Sequence, residues 1–203
     1  MSQTPEDRTR YDEETFEGID FTGETVDSGA FHDCTFVRCR LSGATLRSCR
    51  LVDVRFQHCD LSLLRVPGST FSGCEFEQCR VTGVDWTAAD WAALVLREPL
   101  SFLDCDISHS TFLGLDLRKG TVRNCTAHDA DFREANLGGA DFSGTDLSES
   151  LFGETDLTEA DFREARNYRI DPRRNTLAGT QFSLPEALAL LYALDIEIGG
   201  EEG

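Results

Sequence analysis

The chain has 203 residues, enough for one domain or two small ones with a real core, and 40% of them are apolar, which argues against a disordered chain. A net charge of −18 argues against direct nucleic-acid binding, because phosphate recognition needs clustered lysine and arginine. Its longest apolar run, "ALALLYAL" at 187–194, is too short for a membrane span, so the expectation is a soluble cytoplasmic protein whose eight cysteines serve metal binding, catalysis or packing rather than disulfides.

Residues 1–15 begin "MSQTPEDRTRYDEE" and carry no apolar stretch of a signal peptide; they read as a polar tail. A period of five begins at Phe16. Every fifth residue from there to Trp86 is apolar, fifteen in succession, and a second register runs from Phe102 to Phe162 for thirteen more. Thirteen of the fourteen phenylalanines lie on these two ladders, which dismisses chance. Two places before each ladder residue the side chain is mostly small, and all eight cysteines (Cys34, Cys39, Cys49, Cys59, Cys74, Cys79, Cys105 and Cys125) occupy that place. Residues two apart on an extended chain share a side, so each pentad turns one large and one small residue inward and three outward.

A period of five matches neither a helix nor simple strand alternation. An extended five-residue stretch that repeats its inside/outside pattern must turn a corner each time. Four corners close a square of about 20 residues, and such coils stack at roughly 4.8 Å as parallel strands. The fold expected over residues 16–166 is therefore an all-β solenoid, a quadrilateral parallel β-helix. The cysteine spacing follows from the same rule. Zinc sites show CxxC-type pairs and none is present, stacked inward thiols are poorly placed for disulfides, and the cysteines read as small buried wall residues. His32, His58, His109 and His128 follow ladder residues by one or two places and fall outside or at corners.

Trp86 and Phe102 are 16 residues apart, so the register breaks over 87–101. This Ala/Leu-rich stretch closes with Pro99 and reads as a protrusion or helical turn between coils. Trp91, Leu94 and Leu96 either pack back onto the coil or form an exposed partner contact, since solenoid insertions gather on binding faces.

Charge is uneven across the break. Residues 15–86 hold 10 acids against 7 bases, whereas residues 102–166 hold 14 against 6. At 20 residues per coil Asp141 lies over Asp161, Glu134 over Glu154, and Asp116, Asn136 and Asp156 form a further column. Like charges one strand spacing apart are destabilising, which hints at a use; solubility is the competing explanation. With no nucleophile–base–carboxylate set and no glycine-rich phosphate loop, only this acidic outer face supports an enzyme, and the chain reads as non-enzymatic, without cofactor or metal.

The repeats stop at "RNYRIDPRRN", and 167–203 is read as a cap. Ser183 with Glu186 forms a capping-box pattern, and Pro185 suits a first turn. Leu184, Leu188 and Leu191 mark one helix face that Ala187, Leu190 and Leu194 widen. A helix this apolar needs two surfaces to bury against: the last coil and a second copy of the chain. "DIEI" adds a short strand with Ile196 and Ile198 inward, so the expected dimer interface is Leu188, Leu191, Leu194, Ile196 and Ile198. Twenty-eight pentads give about seven coils, roughly 35 Å, and an end-to-end dimer of roughly 70 Å, the length of about 20 base pairs, with the acidic C-terminal halves adjoining.

Segments such as "ADFREANLGGADFSGTDLSES" and "TDLTEADFREA" resemble the A(D/N)LXX motif of the pentapeptide-repeat family, whose fold is the right-handed quadrilateral β-helix. "GVDWTAADWAALVLREPLSFLDCDISHSTFLGLDL", "NYRIDPRRN" and "FSLPEALALLYALDIEI" are similar to its Qnr-type and albicidin-resistance subgroup, over residues 16–198. That resemblance implies a homodimer that mimics B-form DNA and binds DNA gyrase, with topoisomerase IV as a second candidate, protecting it from quinolones or albicidin. By position it assigns Trp86, Trp91 and Arg97 to a recognition segment and Asp141, Asp156 and Asp161 to the acidic face. The partner contacts expected are thus Trp91, Leu94 and Arg97 on the break, and Asp116, Glu134, Asp141, Asp156 and Asp161 on the acidic face. The alternative is a pentapeptide-repeat scaffold for another protein. The break is shorter than the loops of plasmid-borne Qnr proteins, which leaves the drug unassigned.

Overall fold

The computed structural model describes residues 5–91, 99–197 and 199. Its backbone repeats one local move. An extended stretch of about three residues leads to a corner residue in the left-handed region, as at Gly18, Gly23, Ser28, Asp33 and Arg38 with φ of 64°, 71°, 59°, 53° and 52°. Left-handed backbone costs a non-glycine residue roughly 1 kcal/mol, so something must hold each corner. The next coil does: the corner N–H of Arg38 donates to Gln57 O at 2.9 Å and that of His58 to Glu77 O at 3.0 Å.

Four such moves close one coil, and coils stack in parallel. Thr15–Glu17, Thr35–Val37, Arg55–Gln57, Glu75–Glu77, Ser101–Leu103 and Thr121–Arg123 form one six-stranded column. Phe16 lies opposite Phe36 and Phe36 opposite Phe56, a repeat of 20, while Phe76 lies opposite Phe102, a repeat of 26. The protein is a quadrilateral parallel β-helix with one six-residue expansion. From Phe16 to Phe182 the same column holds nine ladder residues, hence eight turns and roughly 38 Å at strand spacing. This is one turn more than the pentad count gives.

Ladder residues fill the axis. Ring centroids in the Phe16, Phe36, Phe56, Phe76, Phe102 stack are 4.6, 4.9, 5.0 and 4.8 Å apart, so the strand spacing sets an aromatic stacking distance. Val122 interrupts this column, and Phe142, Phe162 and Phe182 resume it. A second stack runs Trp86, Phe112, Phe132, Phe152.

The small inward positions have a further task. Ser69 Oγ donates to Leu46 O and accepts the Cys49 N–H, both at 2.8 Å; Ser110, Thr145 and Ser150 bridge adjacent coils in the same manner. Cysteine sulfurs do this more weakly: Cys59 Sγ accepts the Cys39 N–H at 3.3 Å and donates to Phe36 O at 3.4 Å. All eight cysteines are buried free thiols, and burial pushes the Cys74 thiol up to about 12.

Several boundaries differ from the sequence reading. The coil begins inside the segment taken as a tail: Arg10–Asp12 pairs with Ala30–His32, and buried Tyr11 stacks 5.2 Å from Phe31. It also continues past 166. Asn167 and Pro172 stand where ladder residues would be, but buried Tyr168 and Ile170 fill the axis instead, and Leu177 and Phe182 rejoin the ladders. Trp91 proves to be the next inward residue after Trp86, half-buried beside Phe71, with its indole N–H donating to Trp86 O at 2.7 Å. Trp86 itself is wholly buried, so it is core rather than a surface of recognition.

The cap is shorter than its pattern. The helix spans Leu188–Tyr192, with Ala187 at its N-cap and no capping side chain. The capping box does not form, because Ser183 Oγ accepts the Glu164 N–H at 2.8 Å. No strand forms at 195–197: Asp195 has φ 60° and Ile196 is exposed. Ile198 lies outside the described residues.

Candidate acidic interaction surface

The aspartates that open each pentad have a local cause. An aspartate or asparagine in the place before a ladder position uses its side-chain oxygen to accept the N–H two residues on, an Asx turn that prepares the corner. Asp141 does so from Ser143, Asp156 from Thr158 and Asp161 from Arg163, each at 2.9 Å; Asn136 accepts from Gly138 at 3.2 Å. This return offsets the repulsion that the sequence alone suggests. It also keeps the groups ionised: hydrogen bonds from Thr158 hold Asp156, and those from Arg163 hold Asp161, below the usual carboxylate range.

The columns expected from the 20-residue period are present. Asp116 pairs with Asn136, Asn136 with Asp156, and Asp141 with Asp161. Glu134 and Glu154 occupy successive left-handed corners, with φ of 59° and 58°. Along the chain these acids fall on one corner and the two sides that follow it, so the surface wraps around the rod rather than lying on one face. Asp141 and Asp161 also line a shallow depression with Arg123, Arg163 and Glu164.

These acids are not equivalent. Arg118 forks onto Asp116 at 2.9 and 2.8 Å, and Arg163 pairs with Asp161 at 2.9 Å. Asp141 and Asp156 have no arginine within ion-pair distance among the described residues, and they leave more negative field outward. On another side, Asp146 accepts from Asn167 at 2.9 Å and lies 3.5 Å from His128 Nε2. Its burial alone would raise the carboxyl, but Asn167, Ser148 and His128 together hold it at about 2.

The N-terminal half is arranged differently. Its column Asp20, Arg40, Asp60, Arg80, Asp106 alternates in sign, and Arg40 reaches Asp20 at 2.7 Å. Arg55 likewise bonds Glu75 of the next coil at 2.9 Å. Charges that cancel between coils before the break reinforce one another after it.

Of the two expected contact sets outside the acidic columns, the break contributes only Trp91 to the described residues; Leu94 and Arg97 lie outside them. In the cap, Leu188 and Leu194 are half-buried, while Leu190 packs on the core. Leu191 and Ile196 are 37% and 44% exposed, together with Leu184 at 76% and Tyr192 at 58%, which the sequence reading did not place in the interface. Arg173 fastens this segment: its Nη2 donates to Ala193 O at 2.7 Å, and its Nη1 lies 3.5 Å from Asp195. Among the described residues no helix is long and apolar enough to cross a membrane.

The family model for the pentapeptide repeat region matches residues 29–100 and 95–162. Among solved structures the chain is similar to QnrB1, a plasmid-mediated fluoroquinolone resistance protein. A trypsin-treated form matches with TM-score 0.71 and 22% identity, over 95% of this chain and 99% of that one. The full-length form matches with TM-score 0.64 and 20% identity, over 92% and 100%. It is also similar to HetL, a pentapeptide repeat protein involved in heterocyst differentiation regulation from the cyanobacterium Nostoc sp. strain PCC 7120, with TM-score 0.51 and 17% identity over 86% and 85%. No curated protein matches. At these identities the likeness is one of fold.

Proposed function

Because the chain belongs to the pentapeptide-repeat family, we propose that it works as a rigid binding surface without catalysis of its own, and that its partner is a type II topoisomerase. DNA gyrase is the first candidate and topoisomerase IV the second. The acidic columns stand in for the phosphates of a duplex, so the protein competes for the enzyme's DNA-binding groove and shields it from quinolone- or albicidin-type inhibitors. One observation carries this reading: after the break, carboxylates repeat at strand spacing on a narrow rod, and Asp141 and Asp156 lack a neutralising arginine among the described residues. The fold shared with QnrB1, a fluoroquinolone resistance protein, supports it. A homodimer through the exposed apolar cap belongs to the same proposal and gives a two-fold enzyme a two-fold ligand.

A supercoiling assay with purified gyrase tests the function. The protein is expected to restore supercoiling in the presence of ciprofloxacin or albicidin and to inhibit it at high concentration. Neither effect at any ratio would sink the proposal.

One observation favours a second reading, a scaffold for a different protein. The Asx turns and the pairs Asp116–Arg118 and Asp131–Arg133 give several aspartates a purely structural task. Under that reading the same assay is blank and Asp141→Asn with Asp156→Asn leaves partner capture unchanged.

A further inference from the structure

The negative charge stops abruptly before the end of the rod. Residues 129–161 carry ten acids and one base, Arg133. Residues 163–174 then carry five arginines, Arg163, Arg166, Arg169, Arg173 and Arg174, against Glu164 and Asp171. The arginines are spread around the last coil. Arg166 lies opposite Asp146 on one side; Arg169 reaches back to Glu149 at 2.9 Å; Arg174 follows at the corner next to Glu154, whose N–H donates to Arg174 O at 2.7 Å.

Two of them are unspent. Arg166 and Arg174 are exposed, and neither has a carboxylate within ion-pair distance among the described residues. Gly153 leaves the Arg174 guanidinium lying over bare backbone: a Cβ there would sit 3.3 Å from Nη2. A rod selected only for negative field gains nothing from a positive ring on its last coil. The ring's neighbours also decide what it would take. A nucleic-acid strand laid on it would bring phosphates within about one or two Debye lengths, roughly 8 Å each, of the ten acids above. Separate carboxylates on a protein meet a guanidinium fork bidentately without that penalty.

We propose that the arginine ring of the last coil is a second contact zone for the partner, taking carboxylates beside the basic groove that the acidic columns occupy. This rests on the topoisomerase reading above, and adds that the partner surface carries both signs. The test is the affinity of full-length Arg166→Glu/Arg174→Glu for purified gyrase by biolayer interferometry, with Arg166→Gln/Arg174→Gln as the milder variant. Light scattering is run on every sample. Weakening of at least tenfold for the reversal, with an intermediate loss for the neutral pair and unchanged mass, is expected. Affinity that is unchanged or rises with the added negative charge overturns the ring as a contact. So does a changed oligomeric mass, which assigns the ring to self-association, or arginine-dependent binding of a 20-base-pair duplex by the wild type. If the wild-type chain does not bind gyrase, the topoisomerase reading fails and this inference falls with it.

Discussion

At the inward small position, a hydroxyl performs a task that size does not reveal. Ser69 is wholly buried and supplies the hydrogen bond of the Cys49 N–H, so truncation leaves a donor unpaired inside the wall. Ser69→Ala is expected to lower stability by about 1–3 kcal/mol, and Ser69→Cys by less, as read from denaturant midpoints. Equal midpoints for wild type and Ser69→Ala would show that only volume matters there. The sequence made the position legible, because five-residue periodicity records which way a side chain points. It did not reveal the bridging role, since alanine, serine and cysteine look alike when only bulk is counted. The acidic positions were half legible for a similar reason. Spacing stacked Asp141 over Asp161, but the turn each closes with its own backbone is a property of geometry.

At the scale of elements, the regular coil was legible and its ends were not. Each coil is templated by the one before, so a single periodic pattern specifies the whole column of strand pairs as readily as one of them. Termini have only one neighbour and obey no repeat. Tyr11 joins the first coil from a segment that reads as polar, and Ser183 serves Glu164 instead of capping its own helix. Asn167 and Pro172 hide the last turn because Tyr168 and Ile170 fill the axis one and two places off the ladder. The exposed Leu184, Leu191, Tyr192 and Ile196 then leave an apolar end that water disfavours. Leu191→Asp is expected to convert a dimer to a folded monomer at micromolar concentration, measured by light scattering with circular dichroism as the control. A dimer that survives the substitution would move the interface elsewhere.

For the whole molecule, the distribution of charge matters more than its total. Sign-alternating columns before the break cancel at short range, while the like-signed columns after it project outward and meet the arginine ring below. Electrostatic guidance of this kind acts mainly on encounter. The association rate with gyrase is therefore expected to fall at least tenfold between about 0.05 and 0.3 M salt, and Asp141→Asn/Asp156→Asn to lower it further with little change in dissociation. Stopped-flow or interferometric rates decide this, and a salt-independent association rate would remove steering from the account.

The 20-residue repeat also governs how such a chain can change length. Deleting one residue inside a coil would send every later phenylalanine toward water and every later aspartate toward the axis, until a corner absorbed the slip. Duplicating twenty residues instead lengthens the rod by one storey and leaves all other positions in phase. Among the described residues, the coil that returns after 26 residues marks where the chain has accepted a different count, between Asp90 and Ser101, without losing the stack above or below. Growth by whole storeys, with a change of count taken up at a landing between them, is the inheritance rule written into this architecture.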